Sequence, residues 1–317
     1  MKRLLLMMLA VLMAASMLIG CAPPAGTETP TQATAATPVP KDLMEQDTDA
    51  MGNAVEAVDA AEGLRIVSAV PSTTEILFAL GLGDKIVGVD IYSTYPPETA
   101  NIEVVGDFNS FDVEKVISLE PTVVFAGNGL QQENIAKLRE AGINVVASEA
   151  TYYDDIANSI TLVGKAVGKE AEAAELIAQL GEVEAAVKDK AATLTEKPTV
   201  YYVMGIGEYG NWTSGKGSFI NTMIELAGGV CVTANTDREW LEYPVEKLVT
   251  DDPDILIVSN GVDEADLLAA VGYADLTAVK EKHYYFIDPE LSERPGPRVG
   301  EALEAIQSGI EQYLTEK

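Results

Sequence analysis

The strongest constraint on the fold of this chain is a repetition. Residues 113–125 read VEKVISLEPTVVF, and 132 residues later residues 245–257 read VEKLVTDDPDILI. Each copy runs Val-Glu-Lys, then apolar residues, then a proline at the same offset (Pro121, Pro253), then a β-prone apolar run. Each therefore reads as a short helix stopped near a proline and followed by a buried strand.

The flanks repeat as well. Upstream of the first copy lie the apolar run RIVSAV, a small-residue loop at Ser72 and the helical pattern TEILFALGLG. Upstream of the second lie TVYYVM, a loop with Ser214 and Ser218, and FINTMIELAGG. Both helical patterns end in glycine, which enters the left-handed region without a Cβ penalty. Downstream, IAKLREAGINVVA and LTAVKEKHYYFI each place a helix before a strand. Continuous apolar strands alternating with helices predict parallel sheets covered on both faces. The expected fold class is α/β: two similar lobes, with the ligand site in loops at the carboxyl ends of their strands.

Between the lobes, residues 169–194 contain no proline, and Leu176, Ile177, Leu180, Val183 and Val187 fall on one helical face. Such a helix would be about 37 Å long, a stiff strut rather than a swinging linker. The expected division is 64–167 for the N-terminal lobe, 168–194 for the linking helix and 195–317 for the C-terminal lobe.

The start of the chain carries an address. Lys2-Arg3, an apolar run and LIGC ending at Cys21 match a bacterial lipoprotein signal peptide over residues 1–20, with Cys21 acylated as the new first residue. The apolar run, about 16 residues, is short of the roughly 20 that a membrane span needs. Residues 21–63 follow as lipidated cysteine and disordered tether; they are rich in Thr, Ala, Pro and acids and lack aromatics. A tether of that length has a root-mean-square reach of about 36 Å. The protein is thus expected outside the cytoplasm, held to the membrane by lipid. Cys231 is the only other cysteine and is expected to be buried.

Loss of Lys2 and Arg3, with no acid, takes the formal charge from −29 to −31. A chain so acidic, with no basic stripe, does not bind nucleic acid. Gly205-x-Gly207-x-x-Gly210 has the form of a dinucleotide fingerprint, but NWTSGKGS follows where a helix must open. His283 is the only histidine and is expected at the surface, which leaves no histidine-based triad or multi-histidine metal site. No catalytic constellation, metal site or cofactor site is expected.

Aromatic residues remain. Tyr92 and Tyr95, Phe108, Trp212, Trp240 and Tyr243 fall in or beside the expected carboxyl-end loops of both lobes. A set so distributed suits a large, partly apolar ligand clasped between the lobes.

The segments RIVSAVPSTTEILFALGLGDKIVGVDIYSTYPP, VEKVISLEPTVVFAGN, NWTSGKGSFINTMIELAGG and SERPGPRVGEALEAI resemble the solute-binding proteins of ABC importers for cobalamin, ferric siderophores and haem. The resemblance covers about residues 64–316. It implies two α/β lobes joined by one rigid helix, a ligand in the cleft, a monomeric receptor, and a permease dimer with its ATPase as partner. The cobalamin-binding members are the most similar. YSTYPP resembles their YSDYPP, which implies that Tyr92 stacks on the ligand. Phe108 stands where they commonly have tryptophan, Tyr243-Pro244 resembles their aromatic-Pro element, and Arg294 in SERPGPR matches their arginine near the corrin side chains. Family glutamates, one per lobe, dock on permease arginines; here they are Glu114 and Glu246, the same position of the repeat. A chain this acidic is a poor trap for an anionic catecholate. Haem, a neutral hydroxamate siderophore and a lipid-anchored sensor role stay open beside the corrinoid.

Overall fold

The computed structural model describes residues 47–58, 63–107, 109–127, 129–207 and 210–317. The expected signal peptide, Cys21 and the tether up to residue 46 lie outside these residues, as does Phe108.

In the N-terminal lobe, β1 (Ile66–Ser68), β2 (Ile86–Asp90), β3 (Val104–Gly106), β4 (Val123–Ala126) and β5 (Val145–Ala147) form a parallel sheet in the order β3-β2-β1-β4-β5. Helices α1 (Pro71–Ala79), α2 (Val113–Ser118), α3 (Gln132–Glu140) and α4 (Asp155–Ala166) connect and cover it. Helix α5 (Glu170–Ala191) then leads to β6 (Thr199–Val203), β7 (Trp212–Ser214), β8 (Val230–Cys231), β9 (Trp240–Glu242), β10 (Ile255–Ser259) and β11 (Tyr284–Ile287). Of these, β11-β10-β6-β8 make a second parallel sheet, while β7 and β9 pair antiparallel as a ribbon. The helices of this lobe are α6 (Phe219–Leu226), α7 (Val245–Asp251), α8 (Glu264–Ala269), α9 (Thr277–Lys280), α10 (Pro289–Ser292) and α11 (Val299–Glu316).

The repeated segments are equivalent in space. Helices α2 and α7 begin at the repeated valines, and β4 lies between β1 and β5 as β10 lies between β6 and β11. Glu120 (φ 49°) and Asp252 (φ 37°) occupy the left-handed region at the same offset, each just before its proline. Proline bars the preceding residue from the right-handed helical region, so both helices end by the same manoeuvre. The glycine stops also act as expected: Gly81 and Gly228 have φ of 75° and 95°.

Both faces of each sheet are buried. Val123 and Phe125 point into one core and Val124 into another; Ile255 and Ile257 alternate with Leu256 in the same way. One core runs continuously from Ile66 and Phe125 to Tyr202 and Ile257, so the lobes share it. The linking helix α5 lies in this shared region with Ala173, Ile177 and Val187 buried. Tyr153 donates to its Glu184 from the N-terminal lobe at 3.2 Å, and Gln307 donates to its Val187 carbonyl from α11 at 2.8 Å.

Two expectations need correction. Residues 47–58, read as tether, fold onto the N-terminal lobe. Asp49 is buried, takes Arg139 at 2.6 Å and the Ala147 backbone N–H at 3.1 Å, and Ala50 donates to the Ala147 carbonyl at 3.0 Å. The segment thus covers the free edge of β5, a role that needs backbone and one carboxylate rather than aromatic residues. His283 is not at the surface: it packs edge-on against Tyr313 of α11 at 4.8 Å, with its side chain 12% exposed. Cys231 is buried as expected, with Sγ 2.7 Å from Asn221 Oδ1.

Candidate functional site

The carboxyl ends of the N-terminal strands face the C-terminal lobe across a cavity of about 580 Å³, within the range of about 300–1,000 Å³ typical of small-molecule sites. After β1 the chain turns straight into α1, whose Pro71 needs no N–H partner, and this turn brings Val70 and Ser72 to the cavity. The loop after β2 supplies Tyr92 and Thr94, and the loop after β5 supplies Glu149. Opposite them, α10 and the SERPGPR segment supply Glu290, Glu293, Arg294 and Pro295.

Ion pairs tie the two walls together. Glu75 of α1, with its side chain 2% exposed, receives Arg298 at 2.7 and 2.8 Å and Arg294 at 3.1 Å. Arg294 also donates to the Tyr92 carbonyl (2.9 Å), Thr94 (2.8 Å) and Glu290 (3.0 Å). The Arg298 guanidinium lies 3.7 Å over the Tyr95 ring. Glu239 of the C-terminal lobe also comes close to Tyr152 beside Gly217, and its carboxylate holds the phenol pKa above its ordinary value.

Carboxyls at the cavity, and Asp90 buried behind it, have raised pKa values. Burial, and then the neighbouring charge of Asp90, push Glu149 up to about 7. Burial also raises Asp90 and Glu293, against the hydrogen bonds they accept from Ser93 and from the Tyr202 hydroxyl at 2.9 Å.

Of the expected ligand residues, Tyr92 and Arg294 meet at this cavity. Tyr92 is 54% exposed and free to stack, whereas the Arg294 guanidinium is spent on the interlobe bridge. Trp212 and Trp240 share one face of the β7–β9 ribbon, since Ser214 pairs with Trp240 and Trp212 with Glu242. The ribbon extends from the end of β6, where Met204 donates to the Trp212 carbonyl at 3.0 Å. Trp212 is exposed; Trp240 packs edge-on against Phe219 at 5.7 Å. Neither indole lines the interlobe cavity.

Tyr243 corrects the sequence reading. It is 3% exposed, packed against Tyr201 at 5.8 Å, and its hydroxyl donates to Asp251. Pro244 starts α7 there, and Asn211 clamps the Tyr243 backbone through two bonds of 2.8 Å, which draws the ring into the lobe's core. Sequence reasoning missed Ser72, Glu149 and Glu293. Each lies in a loop or first turn beside a strand's carboxyl end or in SERPGPR, a signal present in the sequence but followed only for aromatic residues and for Arg294.

Glu114 and Glu246 are exposed second residues of α2 and α7, with no hydrogen bond or ion pair to their carboxylates among the described residues. Each helix returns toward the amino end of the next parallel strand, so its start lies on the carboxyl-end side that faces the cleft.

Two like-built α/β lobes, a helix braced by both and a cavity at their seam define a two-lobed ligand-binding receptor. The chain belongs to the periplasmic binding protein family, whose model matches residues 66–291. It is 34% identical over 309 residues to the uncharacterized ABC transporter substrate-binding lipoprotein YvrC of Bacillus subtilis, covering 95% of each chain. It is 30% identical over 255 residues to a cobalamin-binding protein of Halobacterium salinarum, covering 77% of this chain and 68% of that one. Among solved structures it resembles the periplasmic heme-binding protein RhuT of Roseiflexus sp. RS-1, with a TM-score of 0.72 and 29% identity over 79% of this chain and 99% of that one. The family is one of carriers rather than enzymes, and what such proteins hold is cargo, not a catalytic cofactor.

Proposed function

We infer that this protein is the extracytoplasmic solute-binding component of an ABC importer and that it captures cobalamin or a related corrinoid, one per monomer, between its lobes. The observation that carries the reading is the interlobe cavity, where exposed Tyr92 faces the Arg294–Pro295 wall. A flat aromatic ring can cover a corrin without coordinating its cobalt. Similarity to the substrate-binding lipoprotein of Bacillus subtilis supports import, and similarity to the cobalamin-binding protein of Halobacterium salinarum supports corrinoid binding. Lipidation at Cys21 would hold the receptor at the membrane, and exposed, unpaired Glu114 and Glu246 suit docking on a two-fold permease dimer that works with its ATPase.

Haem is the second reading, because a tyrosine phenol such as that of Tyr92 at the cavity can ligate haem iron and the Roseiflexus neighbour is a heme-binding protein. Native mass spectrometry with absorption spectra, on protein mixed with each macrocycle, separates the two. The expected result is a one-to-one complex bearing the corrinoid spectrum.

A further inference from the structure

The cleft carries more acid than base. Its lining includes Glu149, Glu290 and Glu293 against the guanidinium of Arg294. Arg294 cannot receive an anion without giving up partners, since its hydrogen bonds go to Glu75, Glu290, Thr94 and the Tyr92 carbonyl. Glu290 is held by Arg294, and Glu293 accepts from Tyr202.

Glu149 is different. Among the described residues no cation or hydrogen-bond donor meets its carboxyl. Its Oε2 lies against Gly127, where the Cβ of any other residue would come within 2.7 Å. A side chain at this position would push the carboxyl aside, so the glycine lets it rest against the loop backbone. Ser72, 2% exposed and lining the same cavity, has a hydroxyl with no partner among the described residues. Polar groups left unsatisfied in a partly desolvated wall gain most from a donor brought by the ligand. A carboxylate brought to the same place meets like-charge repulsion instead.

We propose that Glu149 sets ligand specificity in this cleft: it receives an N–H donor from a neutral, amide-rimmed macrocycle and rejects a carboxylate at that position. The proposal rests on the corrinoid reading, and it names the group that separates corrinoids from anionic tetrapyrroles.

The test compares cyanocobalamin with its monocarboxylic acids, in each of which one peripheral amide is a carboxylate, by calorimetry at pH 8. Wild-type protein should bind at least one of these acids ten-fold or more weakly than the parent. Glu149→Gln, which keeps an acceptor but loses the charge, should bind that acid within about three-fold of the parent. Asp84→Asn removes one exposed charge far from the cleft and should retain the wild-type ratio. Circular dichroism and thermal unfolding check that both variants fold. An unchanged ratio in Glu149→Gln, or an equal change in Asp84→Asn, overturns the proposal. If cyanocobalamin binds neither protein, the corrinoid reading fails, and haemin against its dimethyl ester makes the same comparison. A wild-type preference for the ester that disappears in Glu149→Gln supports the role of Glu149 on its own; an equal preference in both ends it.

Discussion

Arg298 of the C-terminal lobe and Glu75 of the N-terminal lobe form a two-point ion pair, at 2.7 and 2.8 Å, beneath the ligand cleft. The Glu75 side chain is almost wholly out of water, and Arg294 reaches the same carboxylate. Removing one partner of a buried pair leaves the others charged and unmatched, which costs about 3–5 kcal/mol. Glu75→Ala should therefore lower the unfolding free energy by about that amount in denaturant titration. A loss below about 1 kcal/mol would show that water screens the brace.

The Glu149 carboxyl, raised from an ordinary 4.5 to about 7, makes stability depend on pH in a definite direction. Between those values the folded protein binds more protons than the unfolded chain, so this group makes stability fall as pH rises. Glu149→Gln removes the dependence. Relative to wild type it should be unchanged at pH 4 and more stable at pH 8 by up to about 3 kcal/mol, read from thermal unfolding at the two values.

Tyr92 and Tyr243 should separate cleanly. Tyr92 is exposed at the cavity, so Tyr92→Ala should cost about 1–3 kcal/mol of ligand affinity with little change in melting temperature. Tyr243 is a core residue, so Tyr243→Ala should cost about 3–5 kcal/mol of stability while any protein that remains folded keeps its affinity. Binding and melting curves on the same samples check both.

Charge reversal at both Glu114 and Glu246 should abolish uptake in cells and leave ligand affinity intact, because neither carboxylate has a structural partner among the described residues. Uptake that persists in the double variant would remove the docking role.

Much of this architecture was legible in the sequence because it rests on period and punctuation. The repeat located α2, β4, α7 and β10, and the glycines stopped α1 and α6. Pattern does not report which side of a loop a ring will face. Tyr243 reads like a cleft aromatic until the α7 start and the Asn211 clamp turn it inward. Arg294 reads as a ligand residue, yet its partner Glu75 lies 219 residues earlier in the chain, a pairing no local pattern reveals. Residues 47–58 look like tether by composition, and only the free β5 edge and Arg139 give Asp49 its place.

Calorimetric titration of the mature protein with cyanocobalamin, haemin and a neutral hydroxamate siderophore, side by side, decides which ligand the cleft takes. One-to-one heat is expected with cyanocobalamin, weakened by Tyr92→Ala. Heat with haemin or the siderophore alone, and none with cyanocobalamin, would overturn the corrinoid assignment.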